Sequence, residues 1–164
     1  MRVDNINMLN DTMAILDRGY YEVNGKRVNL KLSKAEMKEI SVFLPKDVKS
    51  ISDNKDFQHI HMMGGRIGVD CVNMDSYSLA IKRYSDCSYM FSKKSKPILV
   101  LNLANPVNPG GGVRRGSKAQ EEDLCRKSSL LLSLESSAAS AYYKYNKSLN
   151  TYMGSDAVMV TPPG

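Results

Sequence analysis

Apolar positions along the chain alternate between helix-like and strand-like spacing. Ile6, Leu9, Met13 and Leu16 follow one helical face, and Gly19 supplies a stop, which predicts a first helix. Tyr20-Tyr21-Glu22-Val23 then leads into Asn24-Gly25, and Lys26 to Leu32 alternates with period two. Asn and Gly both tolerate positive φ, as a tight hairpin turn demands, so a β-hairpin is predicted here. Ser33-Lys34-Ala35-Glu36 has the form of a capping box and predicts a second, short helix closed by Pro45, with another helical turn from Pro45 to Ser52. Val69, Cys71 and Val72 make 68–73 a strand, and Leu79, Ile81 and Tyr84 make 75–86 a helix.

Past the basic loop Lys93-Lys94-Ser95-Lys96, the pattern changes. Pro97 to Ala104 is nearly continuous apolar sequence, which predicts a strand buried on both faces. It ends in the turn-rich run Asn105-Pro106-Val107-Asn108-Pro109-Gly110-Gly111-Gly112. A long helix is predicted over 118–136, with Leu124, Ser128, Leu131, Leu132 and Glu135 at helical spacing. A further helix is expected over 138–146 and a strand over 157–160, before Thr161-Pro162-Pro163-Gly164. Strands alternating with helices predict an α/β or mixed α+β class. No internal repeat or linker interrupts the chain, so residues 1–164 read as a single domain. A strand running into Pro-Pro-Gly reads as the middle of a fold, so an incomplete carboxyl-terminal part is expected.

Composition narrows the function classes. With 42% apolar and 24% charged residues over 164 positions, the profile is that of a soluble globular domain. No run of 18 apolar residues supports a membrane span, and the start lacks the basic and apolar regions of a signal peptide. Cys71, Cys87 and Cys125 are far apart and form no CxxC pair, which argues against zinc or a disulfide framework and for a reducing, cytoplasmic home. His59 and His61 lie two apart near Met62 and Met63 with no cysteine close by, and they read as loop histidines rather than metal ligands. The methionines read as core filler. A net charge of +6 fits a polyanionic partner only weakly. Without Trp, and with three Phe, the chain offers no stacking platform for single strands, so direct nucleic-acid binding is not expected.

The strand, the triple glycine and the helix behind it carry the chemistry. Consecutive glycines let backbone approach a ligand closely and turn N–H groups toward phosphate oxygens, while the following helix offers a positive dipole end. A phosphate-bearing ligand and an ordinary surface turn both remain open on that ground. The loop does not satisfy the Rossmann pattern. Gly111 and Gly116 have P-loop separation, but Ser117-Lys118 stand in reversed order, which excludes the usual nucleotide-triphosphate cradle. Gln120-Glu121-Glu122-Asp123 opens the next helix. Acidic residues are common in a first turn. Adjacent helical residues point about 100° apart, so Glu121 and Glu122 cannot flank one bond symmetrically and would have to divide their roles.

The run Leu101 to Gly112, seven residues, then Gln120-Glu121-Glu122, resembles the signature of the microbial-type poly(ADP-ribose) glycohydrolases: GGG, a short gap, then QEE. Ala119 to Arg126 and Ser128-Ser129-Leu130 are similar to the family's flanking residues, and Tyr142 to Pro162 more loosely so. The resemblance implies a macrodomain-like, three-layer α/β/α domain with a mixed sheet. It also implies hydrolysis of the ribose–ribose O-glycosidic bond of ADP-ribose polymers, with neither metal nor cofactor. By position, Glu122 would be the acid/base and Glu121 would hold ribose hydroxyls. Gln120 would support the pair. Gly110, Gly111, Gly112 and Val113 would line the substrate's diphosphate and distal ribose, and Asn105 would hydrogen-bond that ribose. ADP-ribose or its polymer is the implied partner. An ADP-ribose-binding module without turnover, and an inactive fragment, are the competing readings. The family's domains continue past the Thr-Pro or Ser-Pro strand end with further strands, a second phosphate loop and an aromatic beside the adenine. None of this follows Gly164 here, so exposed apolar edges and self-association are expected. Val113-Arg114-Arg115-Gly116-Ser117-Lys118 is more basic than usual, and Leu103 stands where the family carries an aromatic.

Overall fold

The structure, a computed structural model, describes residues 2–53, 69–90, 98–150 and 154–162. His59, His61 and the basic loop 93–96 lie outside the described residues. Two compact units are present, one formed by Met1–Met63 with Ala104–Gly164, the other by Gly64–Leu103.

In the larger unit, helix α1 (Arg2–Arg18) ends as its spacing predicts, with Gly19 at φ +77°. Leu9 and Leu16 face inward. Strands β1 (Tyr20–Val23) and β2 (Lys26–Asn29) pair antiparallel through Asn24 and Gly25, both at positive φ. The Arg27 guanidinium lies 3.8 Å from the Tyr20 ring centre and covers it. The capping box forms: Ser33 N–H donates to Glu36 Oε2 at 2.7 Å, and Glu36 N–H to Ser33 Oγ at 3.3 Å. It opens only a 3₁₀ turn, Glu36–Lys38, rather than the helix its sequence predicts. The chain extends instead into β3 (Ser41–Phe43), and Pro45 begins helix α2 (Pro45–Ser52), where its missing N–H costs nothing.

The predicted long helix is broken in two. Helix α4 (Gln120–Lys127) stops at Ser128, whose backbone is extended at φ −149°, and α5 (Leu130–Leu134) follows. Ser128 makes the break: its hydroxyl donates to Leu124 O at 2.9 Å and accepts the Leu130 N–H at 3.2 Å. Such a side chain competes with the helix ladder and caps the next turn. Ser136 accepts the Ala139 N–H, and helix α6 (Ser140–Ser148) follows. Strand β4 (Val158–Val160) pairs antiparallel with β3, Val42 opposite Met159.

Leu9, Val113, Cys125, Leu131 and Leu134 form the core, with Met13, Leu130 and Met159 packed against it. It therefore joins α1, the glycine loop, α4, α5 and β4. Leu131→Ala should lower the unfolding free energy by about 2–5 kcal/mol, the range for a fully buried leucine. Denaturant titration checks this; a loss under about 1 kcal/mol would place Leu131 outside the cooperative core.

In the smaller unit, helix α3 (Ser76–Met90) confirms the predicted helix. Asp75 caps it, accepting the Ser78 N–H at 3.0 Å and the Ser78 hydroxyl at 2.6 Å. Two predicted strands do not form here. Residues 69–73 are exposed and form no strand, and 98–104 make no strand either. Leu99, Leu101 and Leu103 are 86%, 73% and 71% exposed, the reverse of the double-sided burial that the sequence predicts. An apolar run shows that a segment can be covered on both faces, but a strand exists only when neighbours supply a ladder on each side. Among the described residues, both sheets are two-stranded and antiparallel.

Candidate active site

The site grows from a loop folded by its own side chains. Asn105 Oδ1 accepts the Val107 N–H at 3.0 Å and the Asn108 N–H at 2.7 Å. This Asx turn sends the chain into Pro109 and the glycines. Gly110 and Gly111 then take φ of +66° and +55°, the left-handed region that side chains disfavour. Val113–Arg115 is a 3₁₀ turn ended by Gly116, also at positive φ.

The loop closes over the start of α4. Glu122 Oε1 accepts the Gly112 N–H at 3.0 Å, and Glu121 Oε2 accepts the Asn105 N–H at 2.9 Å. Both carboxylates are buried, at 2% and 7% exposure for Glu121 and Glu122. The ordinary reading of an acidic first turn, a solvated pair serving the helix dipole, therefore does not apply. A Cβ on Gly111 would stand 2.8 Å from Glu122 Oε1 and 3.3 Å from Glu121 Oε2. The two carboxylates, about a quarter-turn apart on the helix, thus converge on one glycine. Gly110 has a different neighbour, since its Cβ would strike Leu131 Cδ1 at 2.7 Å. Its bareness serves packing with the core.

Of the sequence-predicted site residues, the structure joins Gly111, Gly112, Glu121, Glu122 and the Asn105 backbone. Val113 is buried in the core cluster. Its side chain belongs to packing, leaving the backbone for any ligand. Asn105 Oδ1 is committed to its own turn, so a ribose contact would fall to the Nδ2 amide. Gln120 sits half-buried in the first turn of α4. Arg114 bonds Glu135 through Nε and Nη2 at 2.7–3.1 Å, which occupies one of the loop's basic residues.

Two further features escape sequence reasoning. Arg126, buried one turn beyond Glu122, donates through Nη1 to Ser117 O at 2.6 Å and approaches Asp123 at 3.6 Å. It pins the far end of the glycine loop to α4. Its spacing of three from Asp123 is the available sequence signal. Helix α1 supports the same loop: Asn5 Nδ2 donates to Gly116 O at 3.0 Å, and Thr12 Oγ1 donates to Arg126 O at 2.6 Å. Tyr142 and Tyr143 stand edge to face, and burial, then the Glu121 charge, raises both phenols. Burial, then Glu121 and Glu122, likewise pushes the Cys125 thiol up to about 12, which leaves it neutral and unreactive.

The family described as microbial-type PARG, catalytic domain, matches residues 10–163. The chain belongs to that family. Its backbone is similar to solved structures of poly(ADP-ribose) glycohydrolase from Thermomonospora curvata. One of these has TM-score 0.75 at 21% identity, and a second, bound to the inhibitor ADP-HPD, has TM-score 0.75 at 24% identity. A single-site mutant of that protein gives 0.76 at 23% identity. Each match covers 97% of this chain and 53–54% of the other, so the chain spans about half the length of these structures. A comparison with curated proteins gives no match. Family membership and these likenesses establish the mixed α/β, macrodomain-like fold expected from the sequence. Among the described residues, no helix is long and apolar enough to cross a membrane, and no group of three or more metal-ligating side chains occurs.

Proposed function

We propose that the chain is the signature-bearing part of a poly(ADP-ribose) glycohydrolase and hydrolyses the ribose–ribose O-glycosidic bond of ADP-ribose polymers. The convergence of Glu121 and Glu122 on side-chain-free Gly111 carries this reading. It creates a spot where a sugar can meet two differently oriented carboxylates beside bare backbone. Adjacent carboxylates on one helix cannot take opposite faces of a sugar ring, so one must bind while the other moves a proton.

In this mechanism, Glu121 accepts hydrogen bonds from ribose hydroxyls and is itself anchored by the Asn105 N–H. Glu122 gives its proton to the leaving ribose oxygen as the anomeric carbon–oxygen bond breaks. The resulting oxocarbenium-like centre is stabilised by the substrate's own diphosphate, held along Gly110 to Val113. Glu122, now ionised, takes a proton from water as that water attacks the anomeric carbon, and so returns to its starting state. The Gly112 N–H holds the carboxylate in place throughout. Gln120 supports the pair, and the Asn105 amide reaches the ribose.

The family match runs through both compact units, which supports reading 1–164 as one domain. The free cysteines, Cys71 exposed and Cys125 buried, fit a reducing cytoplasm. Self-association that covers Leu99, Leu101 and Leu103 belongs to the same reading. The competing reading is a binding module that keeps the cleft without turnover. Calorimetry with ADP-ribose, paired with an assay of ADP-ribose release from polymer, separates the two. Binding with release supports the glycohydrolase, and binding without release supports the module. Neither binding nor release would overturn both.

A further inference from the structure

We propose that Arg126 is a positioning residue for Glu122, acting on it through the glycine loop rather than by touching substrate. Four residues close a ring. Glu122 Oε1 accepts the Gly112 N–H at 3.0 Å. Gly112 O accepts the Ser117 N–H at 3.2 Å. Ser117 O accepts Arg126 Nη1 at 2.6 Å. Arg126 stands four residues after Glu122 on α4, so the helix itself joins the two ends, about 6 Å apart along its axis.

The ring is closely packed. A Cβ on Gly112 would overlap Ser117 Oγ and stand 2.9 Å from Ser117 Cβ. Gly112 is buried, so its peptide and Ser117 move together. The side that faces α1 is held as well, by Asn5 on Gly116 O and Thr12 on Arg126 O. What remains to fix the Gly112 N–H on Glu122 is the grip of Arg126 on the Ser117 carbonyl.

Charge argues that Arg126 supplies position more than stability. It is buried, yet its ion pair with Asp123 is loose at 3.6 Å, and Lys127 binds the same carboxylate at 2.7 Å. A guanidinium buried on such terms recovers little of its desolvation cost, and an apolar side chain of similar volume often serves a fold as well. An apolar side chain cannot hold the Ser117 carbonyl. A planar fork, with Nη1 on Ser117 O and Nη2 toward Asp123, sets that carbonyl in direction as well as distance. The inference rests on the glycohydrolase reading, since only there is Glu122 the acid/base.

The test is a double-mutant cycle between Arg126→Met and Glu122→Gln, read in the release of ADP-ribose from polymer. Arg126→Met removes the donors and leaves Asp123 with Lys127. With Glu122 present, it should lower kcat by about 30-fold and change KM by less than about threefold. In the Glu122→Gln background the same change should cost less than about threefold, because the group it positions is already disabled. Equal losses in both backgrounds are the mark of a role in the fold alone and would overturn the proposal. Should Arg126→Met fail to fold, Arg126→Lys replaces it in the cycle, with smaller losses expected and the same comparison deciding. The Gly112 amide gives a readout that needs no turnover. Its hydrogen exchange should quicken by about tenfold or more in the Arg126 variant while the α1 amides keep their rates. Unchanged exchange at Gly112 would overturn the proposal. If wild-type chain releases no ADP-ribose, the glycohydrolase reading fails, and exchange at Gly112 then decides by itself whether Arg126 holds the loop on Glu122.

Discussion

Glu122→Gln should reduce release of ADP-ribose from polymer by about 10²–10⁴-fold, the usual contribution of a positioned acid/base. Calorimetric affinity for ADP-ribose should stay within about threefold, because the lost interaction is one made in the transition state. The substitution suits the question. Glutamine matches the volume of glutamate in a site only 7% exposed, and its Oε1 can still accept the Gly112 N–H now held at 3.0 Å. Only the transferable proton is removed. Glu121→Gln should behave differently, since Glu121 binds hydroxyls: KM should rise more than kcat falls. A Glu122→Gln chain with wild-type turnover would remove the acid/base assignment, and one that also loses ADP-ribose would make Glu122 a binding residue.

Long elements with a strong period were legible in the sequence. Helix α1 follows from Leu9 and Leu16 turning inward at helical spacing, and the hairpin from Asn24-Gly25 at positive φ. The β3–β4 ladder was only half legible. Residues 157–160 show a strand pattern, but Ser41-Val42-Phe43 is too short for any alternation to emerge, and only pairing with Val158–Val160 makes it a strand. The break at Ser128 was hidden because Leu124, Leu131 and Leu132 keep helical spacing across it. What interrupts the helix is a hydroxyl engaging backbone on both sides, a local competition invisible to periodicity. The segment 98–104 failed for the opposite reason. Its apolar content is a property of the chain, whereas its burial depends on neighbours that the sequence pattern does not count.

The candidate site was legible as a motif, though not as an arrangement. GGG and QEE placed the glycines and carboxylates in one neighbourhood, but a first-turn Glu-Glu pair has the same sequence whether it is solvated or buried. Contacts at long sequence separation decide between these states. Glu122 is covered by Gly112, ten residues earlier, and Glu121 by Asn105, sixteen residues earlier. Arg126 and α1 hold that cover down, through Ser117 O, Gly116 O and Arg126 O. The acid pair is therefore built by the loop as much as by its helix, and damage to the loop should register at the carboxylates.

Gly111→Ala makes that damage with a single methyl group. Gly111 has φ +55°, so alanine there costs about 1–2 kcal/mol of backbone strain. Its Cβ would also lie 2.8 Å from Glu122 Oε1 and 3.3 Å from Glu121 Oε2, displacing the carboxylates that the chemistry needs. Gly19→Ala separates the two effects. Gly19 has φ +77° but no atom within 4 Å of its would-be Cβ, so it suffers comparable strain without the collision. Both variants should lose stability in denaturant titration, Gly111→Ala the more, since the collision adds to the strain. Only Gly111→Ala should lose ADP-ribose binding and turnover, the latter by about 100-fold or more, as expected when reacting groups shift by a fraction of an ångström to an ångström. If the two variants were indistinguishable in binding and turnover, the bareness of Gly111 would be a matter of loop conformation alone. The carboxylates would then converge on it without functional consequence.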